Sequence, residues 1–232
     1  MKDKKFILDN YSAFNKIVIL DYPFDVEEYF LDQQIKNLFY EVLSRIIDDN
    51  GKIKNRWYSN KNKGIFDLAY LDHYLNLCYR FSNEIYRNNF PEELAKAIYY
   101  SSRVRCSCDI FYKTEIGAYF HPVHPLGTIL TPQSKYGKGL VLYEHVLIGP
   151  YSVSDKQPEN FDRPEIGEGV IIYGYSKIMG KSKIGDNVSI SLGTTIINED
   201  IPSNSIVMTG TNGRLIILPN DNNNLINSGA NN

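Results

Sequence analysis

Apolar residues recur along this chain at two different intervals, and the change between them divides it in two. Within 26–49, Tyr29, Phe30, Ile35, Leu38, Phe39, Val42, Leu43 and Ile46 fall at i, i+3, i+4 and i+7 spacings, which line one face of an α-helix. Asn50-Gly51 supplies its stop. A second helix is predicted over 67–87, with Leu71, Tyr74, Leu75, Cys78 and Phe81 on one stripe. A third runs from Pro91, a favoured first helical position, to about 105. Residues 54–64 are polar and broken, and read as a loop. His73 falls inside the second helix and is expected to be structural.

Beyond residue 108 the interval becomes six. Ile166, Ile172, Ile178, Ile184, Ile190 and Ile196 follow one another without a gap, and Leu130, Tyr136, Leu142 and Ile148 carry the register backward. Small or β-branched residues stand four positions later at Ser134, Val146, Ser152, Ser176, Ser182 and Thr194. Glycine follows directly at Gly137, Gly149, Gly167 and Gly185. Six matches neither the 3.6-residue period of a helix nor the two-residue period of a strand. It predicts a triangular solenoid in which three short strands make a coil of eighteen residues, each coil burying its apolar side chains only against the next. The fold class is therefore α+β: an α-helical domain over 1–108, a left-handed parallel β-helix over 109–218 and a polar, asparagine-rich tail over 219–232. The first fifty residues are expected either to cap the open end of the solenoid or to mediate pairing of assemblies.

Two breaks in the register stand out. Ile110 and Ile116 keep the six-residue spacing, but the step from Ile116 to Leu130 is two residues more than two repeats. The surplus must bulge within 120–128, which contains His121 and His124. The second break, over 150–164, lacks aliphatic repeat residues; it is either an extruded loop or a degenerate coil, since both keep the count.

Composition narrows the partners. The 43% hydrophobic and 22% charged content is that of an ordinary soluble globular chain. A net charge of −2 without a basic cluster argues against nucleic acid. No apolar run reaches the roughly 18 residues of a membrane span. The segment MKDKKFILDN lacks the apolar centre of a secretion signal, so a cytoplasmic location is expected. Cys106-Ser-Cys108 has no second pair to complete a metal site, and with Cys78 these residues read as reduced structural thiols; no metal is expected.

Asp109-Ile110, Ile116-Gly117, His124-x-x-Gly127 and Gly149, followed by Gly-Tyr-Ser-Lys-Ile-Met-Gly at 174–180, resemble the pattern of the serine acetyltransferase family of hexapeptide-repeat acyltransferases. The likeness is strongest over about 106–210. It implies acyl transfer from acetyl-CoA to a hydroxyl, with His124 as the catalytic histidine and Asp109 as the aspartate that orients it. A hydroxyl is a weak nucleophile at neutral pH, and one histidine acting as general base, steadied by a carboxylate, is the usual remedy. The resemblance further implies a homotrimer or dimer of trimers with CoA in a groove between subunits. Gly149, Gly174, Leu192 and Gly193 would line it; Lys177 and Lys183 are surface candidates for the CoA phosphates, with solvated lysines the plainer alternative.

The acceptor side departs from the family. Val123 stands where an aspartate precedes the catalytic histidine, and Asp162-Arg163-Pro164 keeps an arginine but lacks the histidine of Arg-His-Pro. The C-terminal family motif is reduced to Gly210-Thr211-Asn212-Gly213-Arg214. Arg163 and His145 are the acceptor-binding candidates, and His121 and His145 are rival bases. This pattern favours O-acetylation of a sugar in capsule or lipopolysaccharide biosynthesis. L-serine, in cysteine biosynthesis with Arg163 on its carboxylate, is the alternative acceptor. A non-catalytic trimeric assembly module is the alternative of another class.

Overall fold

The computed structural model describes residues 3–132, 134–151 and 162–224. Four helices come first. α1 (Lys4–Asp21) begins at Asp3, whose side chain accepts the Lys5 N–H. α2 (Gln33–Asn50) begins the same way at Asp32, which accepts the Gln34 N–H. That cap, with a 3-10 turn over Glu27–Leu31, divides the stretch that periodicity alone predicts as one helix. α3 (Leu71–Arg87) and α4 (Glu92–Cys106) follow, α4 ending at Ser107 in the left-handed region. Phe14, Phe39, Tyr74 and Phe81 pack ring against ring where α1, α2 and α3 meet. The loop over 54–64 carries a two-residue hairpin, Ser59–Asn60 against Lys63–Gly64.

From Asp109 the chain winds into a parallel β-solenoid whose three sheets hold five, six and five strands. Leu130, Ile148, Ile178 and Ile196 lie in register on one sheet, Tyr136, Ile166, Ile184 and Ile201 on the next, and Leu142, Ile172 and Ile190 on the third. All of them are buried, and Ser176, Ser182 and Thr194 share the interior. The six-residue period therefore becomes a stack of side chains along the prism axis.

Strand pairing locates both register breaks. Ile110, Ile116 and Pro122 pair with Leu130, Tyr136 and Leu142, each twenty residues on, whereas Ile166 pairs with Ile184 after eighteen. The surplus of two accordingly falls between Pro122 and Leu130. Tyr136 pairs with Ile166 after thirty residues, twelve more than a regular coil, and the surplus falls between the strands Leu147–Gly149 and Glu165–Ile166. The loop or degenerate coil expected over 150–164 lies, at 152–161, outside the described residues, as does the tail beyond 224. At the far end, Leu215–Pro219 turns back antiparallel on Ser205–Thr209 and closes the sheet. No helix among the described residues is long and apolar enough to cross a membrane.

α3 covers the other end. Along one stripe of this helix, Asn76 donates to the Phe120 carbonyl (3.2 Å), Arg80 to those of Ile116 (2.8 Å) and Gly117 (2.5 Å), and Asn83 to that of Tyr112 (2.8 Å). Tyr79 donates to the Thr114 carbonyl and accepts the Ile116 N–H, both at 2.9 Å. The first coil has no preceding coil to satisfy its backbone, and these side chains take that place. α3 thus supplies most of this cap, and Asp49, at the end of α2, adds a bond to the Tyr119 backbone.

Because Ile178 is fully buried between Ile148 and Ile196, Ile178→Ala should cost about 2–5 kcal/mol of unfolding free energy. A urea titration followed by far-UV circular dichroism checks this; a loss below about 1 kcal/mol would mean the stack is loosely packed.

Candidate active site

The two-residue surplus forms a loop between the strands His121–Pro122 and Ile129–Leu130. His124 sits at its head, exposed, with φ +48. A histidine in the left-handed region is uncommon and needs its surroundings to hold it. The His124 N–H donates to Oδ1 of Asp72 at 3.2 Å, and its carbonyl accepts the Leu126 N–H at 2.7 Å. The Gly127 N–H reaches the Ser107 carbonyl at 3.0 Å, and the Cys108 thiol meets the Pro125 carbonyl. The His-x-x-Gly spacing has a local cause. Gly127 has φ +70, and a Cβ there would lie 2.3 Å from Nδ1 of His145 on the next coil.

His121, two residues into the same bulge region as read from the sequence, is instead part of the last regular strand of the first coil. It is buried against Tyr58, the rings 4.1 Å apart, and the His73 ring also packs edge-on against Tyr58 at 4.7 Å. Burial pulls the His121 imidazole down to about 3 and that of His73 to about 4. The Nδ1 of His73 accepts the Asp67 N–H at 3.1 Å, which puts its proton on Nε2. Neither histidine reaches solvent, which leaves His124 as the exposed histidine of the bulge.

The corner that carries His124 continues down the prism. His145 stacks on Tyr175, ring centroids 4.7 Å apart, and Tyr143 packs on Tyr173 at 5.0 Å. Backbone bonds tie the coils together along this edge: His145 N–H to Leu126, Tyr175 N–H to Glu144, and Gly193 N–H to Gly174. Leu192 is 69% exposed and Gly193, at φ +70, faces open space. The structure therefore gathers His124, His145, Gly174, Leu192 and Gly193 on one edge. Lys177 and Gly149 belong to the adjoining sheet, in the strands Lys177–Met179 and Leu147–Gly149. Arg163 lies near Tyr136, just before the strand Glu165–Ile166, on a different corner from His124. Within one chain the two are not brought together.

Asp109 opens the strand Asp109–Ile110. Its carboxylate is held by the Tyr99 hydroxyl and lies 3.8 Å from Arg103. Among the described residues no hydrogen bond links it to His124, in contrast to what the family resemblance implies. The carboxylate that does reach the His124 backbone is Asp72, on the first turn of α3. It is 2% exposed and also accepts from the Tyr58 hydroxyl at 3.2 Å. Sequence reading passed over both residues, because an isolated Asp in an amphipathic helix and a Tyr in a polar loop carry no motif. The available signal was the polar spacing of Asp72, Asn76, Tyr79, Arg80 and Asn83, a second stripe beside the apolar one.

The family model described as bacterial transferase hexapeptide (six repeats) matches residues 163–198. A serine acetyltransferase of Helicobacter pylori is 22% identical over 163 residues, 70% of this chain and 88% of that one. One of Staphylococcus aureus is 26% identical over 53% of this chain, which spans about half of that relative's length (54%). Among solved structures, serine acetyltransferase from Vibrio cholerae superposes with a TM-score of 0.69 at 17% identity, covering 93% of this chain and 82% of that one. The Neisseria gonorrhoeae enzyme in complex with serine gives 0.66 at 20% identity, covering 88% and 81%. The repeat, the relatives and the fold fit a serine acetyltransferase-like hexapeptide-repeat acyltransferase.

The buried histidines behind the His124 loop make stability depend on pH. His73 and His121 are neutral when folded but protonate near pH 6.5 when unfolded. Stability is therefore present above that pH and lost as pH falls toward 4, by up to about 1.4 kcal/mol per pH unit for each histidine. Urea midpoints should fall from pH 7 to pH 5, and His121→Phe should flatten that fall; equal slopes in the two proteins would refute the assignment. Gly127→Ala should lower the melting temperature and the activity together, since the new methyl would need both a strained φ and a displaced His145 ring.

Proposed function

We propose that this protein is an acetyl-CoA-dependent O-acetyltransferase with His124 as its general base. The observation that carries the reading is the exposed His124 at the head of a two-residue slip in an otherwise regular solenoid. The imidazole takes the proton of an acceptor hydroxyl as the oxygen attacks the thioester carbonyl, and returns it to the departing CoA thiolate. The pantetheine arm of the donor fits along the edge below, where Leu192 is exposed and Gly193 leaves open space. A solved serine acetyltransferase in complex with CoA, with a TM-score of 0.66, supports that donor.

For the acceptor, the serine acetyltransferase relatives favour L-serine over the capsule or lipopolysaccharide sugar expected from the sequence. Serine would place this protein in cysteine biosynthesis. A specific observation keeps the sugar as a second reading: Val123 supplies no carboxylate beside His124, and exposed Tyr173 and Tyr175 offer ring faces along the same edge. Arg163 can contribute to an acceptor bound at His124 only across a subunit boundary, consistent with a trimer.

Thiol release from acetyl-CoA, followed with L-serine and with bacterial surface saccharides, separates the acceptors. Serine turnover is expected, and His124→Ala should lower kcat/KM by about 10²–10⁴-fold. Full activity in that variant would remove His124 from the mechanism. Acetyl-CoA binding without turnover on either acceptor would favour a non-catalytic assembly module.

A further inference from the structure

Between α2 and α3 the chain places five cations, Lys52, Lys54, Arg56, Lys61 and Lys63, and no carboxylate across residues 50–66. The acyl-transfer reading uses none of them. We propose that this loop is the acceptor platform of the His124 site and that it takes a phosphorylated sugar. The inference deepens the sugar-acceptor reading and rests on it. A hydroxyl of the bound sugar would give its proton to His124 as its oxygen takes the acetyl group, and the CoA thiolate leaves with that proton.

Three observations carry it. Lys52, Lys54, Arg56 and Lys61 line an open cleft of about 630 Å³, to which Asp48 contributes the single carboxylate among the lining residues. Lys54, Arg56 and Lys61 form no ion pair among the described residues. A concave surface with that excess of positive charge draws anions. Beside it stands Trp57, the chain's single tryptophan, 56% exposed. The indole stacks on Tyr70, centroids 6.1 Å and planes 27° apart, and the Arg56 guanidinium lies 5.1 Å from its ring. An exposed indole offers a surface for the apolar face of a pyranose ring. The guanidinium beside it suits a phosphate on that ring, which it binds through paired N–H groups. L-serine has no ring for Trp57 and one carboxylate for four cations.

The third observation is where the platform is fixed. Asn55 Oδ1 accepts the Trp57 N–H at 3.0 Å, and the Asn55 carbonyl accepts those of Tyr58 and Ser59, both at 2.9 Å. Tyr58 is buried, donates to the Pro122 carbonyl at 2.6 Å and packs on His121. Tyr70, stacked with the indole, bonds to Asp72, the residue that accepts the His124 N–H. Both aromatic neighbours of Trp57 therefore join it to the segment that carries His124. A platform held in this way is formed before any ligand arrives, which lowers the cost of binding.

Trp57 is its own reporter in the full chain. Its fluorescence, titrated with the 6-phosphates of glucose, galactose and mannose, should change saturably with at least one of them, at a midpoint below about 1 mM. The matching free sugar and inorganic phosphate should each bind at least about tenfold more weakly, and Arg56→Gln should weaken the sugar phosphate by about tenfold. Lys61→Gln, on an exposed turn, should act in the same direction. His124→Ala should leave the titration where it is, so failure of the base assignment is told apart from failure of this site. In a thiol-release assay the bound sugar phosphate should be acetylated, and Trp57→Ala should raise its KM about tenfold with that of acetyl-CoA within about twofold. No saturable change with any of the three overturns the proposal. So does inorganic phosphate binding as tightly as they do, since the ring would then add nothing. Binding without turnover overturns the acceptor role and leaves acetyl transfer to L-serine standing.

Discussion

A parallel coil cannot end in water without leaving a row of backbone donors and acceptors unpaired, and the rest of this structure follows from how its first coil is covered. α3 lies across that coil and satisfies it with side chains: Asn76, Tyr79, Arg80 and Asn83 bond to the backbone between Tyr112 and Phe120. Most of these bonds end on buried carbonyls, where an unmet group would cost roughly 1–3 kcal/mol each. The helical half is therefore not an appendage. Its aromatic core over α1, α2 and α3 fixes the position of the helix that makes the solenoid's first coil possible.

The same stripe of α3 extends to the candidate chemistry. One turn before Asn76 stands Asp72, and the backbone it reaches belongs to His124. Fold capping and loop positioning thus share one helix. The two surplus residues between Pro122 and Leu130 carry the loop out of the regular strand register, and the Asp72 carboxylate accepts a bond from its backbone. Gly127 lets the chain return over the His145 ring with no side chain in the way.

The edge below His124 shows how a repeat serves as both scaffold and surface. Within each coil the repeat isoleucine points inward and stacks, while corner residues such as Tyr175 and Leu192 are exposed. His145, Tyr175 and Gly193 occupy equivalent corner places on successive coils. A ligand laid along the axis would meet them in order, about one coil spacing apart.

The sequence by itself determined the solenoid, its phase and the two places where the phase slips. A six-residue period needs no knowledge of distant partners, because each repeat packs on a copy of itself. It also narrowed the chemistry to a segment of nine residues containing His121 and His124. Only the tertiary structure separated those two, since burial against Tyr58 depends on a loop sixty residues upstream. For the same reason it alone showed that Asp109 is engaged by α4 through Tyr99 and Arg103, that Arg163 sits on another corner, and that Asp72 lies under His124. Periodicity records which face of an element is buried; it does not record which polar residue on that face meets which backbone atom across the fold.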